Sequence, residues 1–165
     1  MAKNTAQNTT HHIRVLVING GGINVLAHAT MLQYLSNKSG KQVPEMFDFI
    51  IGTSMGGILA AAYAAPLSPN ATDRKQVKFT ADDVITLLKK NFGYIFPQDQ
   101  KRSFLKKIDQ PQYPRNNIDN LLRALFNPHG SVDLTLAHTL IPIALTSQNA
   151  IANKPQIWFS CSKEF

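Results

Sequence analysis

The chain has 165 residues, 44% of them hydrophobic and 16% charged, which is enough for one core and too apolar for a disordered protein. A single cysteine, Cys161, excludes an internal disulfide framework and fits a reducing environment. The formal net charge of +7 favours acidic partners: anionic lipid surfaces, nucleic acid or acidic proteins.

Met1 to His12 is polar and lacks the apolar core of a secretory signal, so residues 1–12 read as a loose tail ahead of one domain over 13–165. His11 and His12 are too few to argue for a metal site. Ile13 to Ile18 is β-branched and apolar and predicts a buried parallel strand, ended sharply by Gly20-Gly21-Gly22. Val25 to Leu35 carries Val25, Ala29, Leu32 and Leu35 on one helical face. Asn37 to Pro44 reads as a turn, Phe47 to Ile51 as a second buried strand, and Gly56 to Ala65 as a helix of small residues.

Ile50 to Ala65 is almost wholly apolar, but it falls short of the ~20 residues that span a bilayer. It is also broken early by Gly52, Thr53 and Ser54, so a strand, turn and helix explain it better. Without a signal or a span, a cytoplasmic or peripheral-membrane location is expected. Pro66 to Phe79 is a polar loop. Thr80 is placed to cap a helix to Asn91, with Asp82 and Asp83 in its first turn and Lys89 and Lys90 in its last. Phe92 to Gln112 is aromatic and basic and reads as irregular. Between Asp73 and Lys107 nine Lys or Arg face four Asp, a balance that describes a solvated basic face more readily than a binding site. Asn116 to Phe126 forms a helix on Ile118, Leu121, Leu122 and Leu125, and Leu140 to Thr146 and Gln156 to Ser160 read as strands. Strands and helices alternating through glycine turns predict an α/β fold with a parallel sheet.

Two turns carry the chemistry. Gly52-Thr53-Ser54-Met55-Gly56 is a G-x-S-x-G between a strand and a helix, the setting of a nucleophile elbow. There the serine stands on a tight turn at a helix N-terminus, whose dipole favours developing negative charge, and Gly52 and Gly56 leave the turn room. Gly20-Gly21-Gly22 follows the first strand and turns backbone N–H groups toward a common point, a nest for an oxyanion or a phosphate. Both turns lie at the C-terminal ends of strands, where open α/β sheets place their sites. Ser54 is therefore the candidate nucleophile, with the N–H groups of Gly20, Gly21, Gly22 and Met55 as candidate oxyanion donors.

The glycine triplet alone also suits a phosphate- or nucleotide-binding loop, but Val25 stands where a dinucleotide fingerprint needs its third glycine. His28 within the first helix reads as packed or solvated. His129 and His138 would complete a triad only by long-range placement, which no spacing supports, and Cys161 reads as a small buried side chain.

These residues resemble the patatin-like phospholipase family, whose members open with Asp-Gly-Gly-Gly-x-Arg-Gly and continue with Phe-Asp and Gly-Thr-Ser-x-Gly-Gly. Here the blocks are Asn19-Gly20-Gly21-Gly22-Ile23-Asn24-Val25, Phe47-Asp48 and Gly52-Thr53-Ser54-Met55-Gly56-Gly57, with Asn19, Asn24 and Val25 departing from the pattern. Leu121 to Phe126, Ile141-Pro142 and Trp158-Phe159-Ser160 resemble weaker downstream landmarks. The resemblance implies a three-layer patatin-like α/β fold and a serine lipid acyl hydrolase working through a Ser-Asp dyad at a membrane surface. It implies neither cofactor nor metal, and no nucleic acid. The family's aspartate lies in an Asp-Gly-Gly or Asp-Gly-Ala motif, and none of the eight aspartates here precedes a glycine. The expectation is thus a patatin-like domain that stops before its Asp motif. Its alternative is a catalytically incomplete remnant that binds lipid or protein through the same cleft.

Overall fold

The computed structural model of the chain describes residues 12–95, 115–127, 134–149 and 151–160. Strand β1 (Val15–Ile18) leads through a short 3-10 turn (Gly22–Asn24) into helix α1 (Val25–Ser39). Then come α2 (Val43–Met46), β2 (Phe49–Thr53), α3 (Met55–Ala64), α4 (Ala81–Ile95) and α5 (Arg115–Phe126). A second 3-10 turn (Leu136–His138) precedes β3 (Ile143–Asn149) and β4 (Lys154–Phe159).

The strands form one sheet in the order β1-β2-β3-β4, giving the mixed α/β class that the sequence predicts. The sheet is mostly parallel: the first three strands are mutually parallel, and β4 runs antiparallel to β3. Chain length forces this: residues 150–153 cannot make a parallel crossover, which takes roughly a dozen residues. The N–H groups of Ile151 and Ala152 both donate to the Asn149 side chain, and Asn153 turns at a φ of 47° to close the hairpin.

Side-chain alternation divides the sheet into two faces. Ile18, Ile50 and Ile143 are buried against the helices, mainly beneath Leu59, Ala60 and Tyr63 of α3. Burying each such Ile contributes about 1.5–3 kcal/mol. On the other face Val15, Val17, Ile157 and Phe159 are about half exposed. Of the three layers implied, the described residues supply the sheet and one helical layer.

The helix boundaries differ from expectation in three places. Residues 37–44, where the sequence predicts a turn, finish α1 instead, with Gly40 at a φ of 68° receiving the chain, and then start α2 behind a reciprocal Gln42–Glu45 cap. Helix α4 continues to Ile95, past the expected stop at Asn91, so Lys89 and Lys90 lie ahead of its last turn. Helix α3 begins at Met55, which makes Ser54 its capping position. The expected cap of α4 is present: the Asp83 carboxylate accepts from the Thr80 N–H and hydroxyl, and the Asp83 N–H donates back to the Thr80 hydroxyl. Among the described residues no helix is long and apolar enough to cross a membrane.

Candidate active site

Parallel pairing of β1 with β2, with Ile18 opposite Gly52, brings the two glycine turns out side by side at the C-terminal end of the sheet. They touch. A Cβ on Gly20 would stand 3.0 Å from the Ser54 Cβ and 3.0 Å from the Thr53 carbonyl oxygen. A Cβ on Gly52 would fall 2.5 Å from the Gly56 carbonyl oxygen, and one on Gly56 would overlap the carbonyl oxygens of Ile18 and Asn19. Any side chain at these positions would drive β1, β2 and α3 apart.

Between the two close approaches Ser54 adopts a φ of 55° and a ψ of −128°, a region that residues with a Cβ avoid. The Ser54 side chain is exposed, and its carbonyl accepts from the N–H groups of Gly57 at 2.8 Å and Ile58 at 3.3 Å. The N–H groups of Met55 and Gly56, at the start of α3, have no carbonyl partner within the helix and face the end where Ser54 stands. Across from them the chain turns through Gly21 at a φ of 140° and Gly22 at a φ of 56°, and the Asn24 N–H closes this loop on the Gly21 carbonyl at 3.1 Å. The structure therefore brings Ser54, Gly20 and the Gly52–Gly56 elbow into direct contact, with Gly21, Gly22 and Met55 on the flanking turns.

Ser54 opens into a cleft of ≈ 700 Å³, a size typical of small-molecule sites. Its walls are Ile58 and Ala61 of α3, Leu122, Arg123 and Phe126 of α5, the 134–139 segment, and Leu145 and Trp158 of the β3–β4 hairpin. The Trp158 Nε1–H donates to the Ser147 hydroxyl at 2.8 Å, which fixes the indole in the wall. The Thr146 hydroxyl donates to that of Thr53 at 3.0 Å, tying β3 to β2 beside the serine.

Residues 16–157 match the patatin-like phospholipase family. The chain belongs to that family. A patatin-like protein 2 of Oryza sativa subsp. indica is 28% identical over 141 residues, covering 79% of this chain and 33% of the rice protein. A phospholipase A I of Arabidopsis thaliana is 44% identical over 55 residues, 33% of this chain and 4% of that protein. A cGAMP-activated phospholipase of Vibrio cholerae is 25% identical over 162 residues, 90% of this chain and 41% of that protein. The chain thus spans well under half the length of each of these patatin-like and phospholipase relatives.

Among the described residues of this patatin-like chain no histidine lines the cleft with the serine. The His138 Nδ1 lies 3.0 Å from both the N–H and the hydroxyl of Thr135, capping its own turn, and His138 does not line the cleft. His28 sits in α1, its Nδ1 buried without a hydrogen-bond partner and outside the cleft. His11, His129 and Cys161 lie outside the described residues, as does the basic stretch beyond Ile95. Among the described residues no group of His, Cys, Asp and Glu is arranged to hold a metal. Sequence reasoning did not assign the cleft walls. The periodicity puts Leu122 with Ile118 and Leu121 on one apolar helix face; Ile118 and Leu121 pack on the core, while Leu122 lines the cleft. Trp158 had only a place in a weak family landmark, and Arg123 had no signal at all.

Proposed function

We propose that this chain carries the nucleophile of a serine lipid acyl hydrolase acting at a lipid surface. The observation that supports it best is the exposed Ser54 held at positive φ on a helix N-terminus, in contact with the Gly20–Gly22 turn and open to an apolar cleft. In this reading the Ser54 Oγ bonds to the ester carbonyl carbon of a phospholipid or acylglycerol. Negative charge passes to the carbonyl oxygen, met by N–H groups of Gly20, Gly21, Gly22 and Met55. The hydroxyl proton goes to a general base, then to the departing alcohol as the carbonyl re-forms, and water hydrolyses the acyl-serine. Neither cofactor nor metal takes part, and nucleic acid is not a partner.

In the family the base is an aspartate. None of the eight aspartates of this chain precedes a glycine, and no carboxylate or imidazole among the described residues lines the cleft. General-base help is worth ~10²–10⁴-fold, so the chain by itself is expected to turn over slowly. The same observation favours a second reading, a lipid-binding module without turnover. Hydrolysis of p-nitrophenyl butyrate and co-sedimentation with phospholipid vesicles separate the two. The first reading expects slow hydrolysis that falls by on the order of 10²-fold or more in Ser54→Ala. Hydrolysis equal in both proteins would end it. Vesicle binding without turnover in either protein would establish the second.

A further inference from the structure

Arg123 is alone in carrying a charge among the described residues that line the cleft. It projects from the last turn of α5, next to Leu122 and three residues before Phe126, both of which line the same wall. Trp158 and Leu136 add further apolar surface, and among the described residues no acidic side chain lines the cleft to oppose the guanidinium. Mostly apolar walls with one exposed cation among the described residues match a ligand with one apolar chain and one anionic head. A guanidinium grips phosphate through two parallel N–H donors, a geometry that an ammonium lacks. The apolar stem of an arginine also packs against such a wall while its head stays in water.

We propose that Arg123 selects the ligand of this cleft by holding its phosphate, so that the occupant is a phosphate-bearing lipid and not a neutral ester. The proposal rests on the reading of the Ser54 cleft as a lipid site. Arg123 takes no part in bond making.

Trp158 is the sole tryptophan of the chain and stands in the cleft wall, so its emission reports occupancy without any need for turnover. The full chain is titrated with decyl phosphate, with decanol and with inorganic phosphate. Because Arg123 is exposed, the expected preference is moderate: decyl phosphate binds about fivefold more tightly than decanol. One molar salt narrows that gap. Arg123→Gln brings the two ligands within about twofold, chiefly by weakening decyl phosphate, whereas Arg123→Lys, a point charge, keeps part of the preference. Inorganic phosphate alone leaves the emission unchanged at these concentrations.

A preference that survives Arg123→Gln, or none in the unaltered chain, overturns the proposal. Inorganic phosphate binding as tightly as decyl phosphate overturns the lipid assignment. If Arg123→Gln lowers the unfolding midpoint, the Lys variant decides, and loss of all preference there counts against the proposal. Labelling of Ser54 by a fluorophosphonate, read on the same samples, keeps the two readings apart. An unlabelled chain with an Arg123-dependent preference loses only the hydrolase reading, and a labelled chain without preference loses only this one.

Discussion

Ser54 bears a backbone conformation that costs a residue with a Cβ about 1–3 kcal/mol, and the contacts of Gly20, Gly52 and Gly56 hold it there. The strain has a chemical return: it lifts the hydroxyl out of the strand and sets it at the first turn of α3. Glycine adopts the same φ and ψ freely, at an entropic cost of roughly 0.5–1 kcal/mol. Ser54→Gly should therefore raise stability by about 1 kcal/mol in urea unfolding while removing every serine-dependent reaction. A loss of stability in that variant would show that the serine side chain supports the turn, contrary to the strain argument. The G-x-S-x-G and the glycine triplet were legible in the sequence because each constraint is local: a tight turn admits few residue types. Gly20 pressing on Ser54 was only implied there, through the expectation that the two strands are neighbours.

At the scale of elements, Asp48 fastens the N-terminal end of the sheet, opposite the cleft. The Arg14 backbone N–H donates to the Asp48 carboxylate at 3.0 Å, the Arg14 guanidinium grips both its oxygens, and Arg74 of the 65–80 loop donates at 3.0 Å. These bonds, foremost those from the Arg14 side chain, hold the Asp48 carboxyl well below the usual carboxylate range. An unfolded aspartate titrates near ~3.9. The contribution of Asp48 is thus fully present above about pH 4 and fades as the pH falls further, where the unfolded chain takes up a proton that the folded chain refuses. Asp48→Asn should unfold at a lower temperature than the unaltered chain at pH 7, with the gap closing toward pH 2. A gap independent of pH would place the effect elsewhere. Nothing local announced this cluster, since Arg14 and Arg74 lie 34 and 26 positions from Asp48. Elements set by periodicity and caps, such as α4 behind Thr80, were legible. The direction of β4 was not, because Asn149 and Asn153 mark a hairpin only once both strands are extended to meet them.

Across the whole molecule the cleft belongs to no single segment. Its floor comes from the β2–α3 turn beside the β1 turn, and its walls come from α5, the 134–139 segment and the β3–β4 hairpin. The family could be read from two short blocks, but the walls that decide what the cleft admits could not. Leu122, Arg123 and Trp158 meet only through long-range packing, and their spacing in the chain encodes none of it. Because the site exists only in the folded chain, reactivity of Ser54 should depend on folding as well as on the hydroxyl.

The most direct test is reaction of the chain with a fluorophosphonate, followed by mass-spectrometric mapping of the adduct. The account predicts a covalent adduct on Ser54 in the folded chain, absent after unfolding in urea and absent in Ser54→Ala. A folded chain that takes no adduct, or takes it on another residue, would contradict the claim that this elbow presents an activated nucleophile.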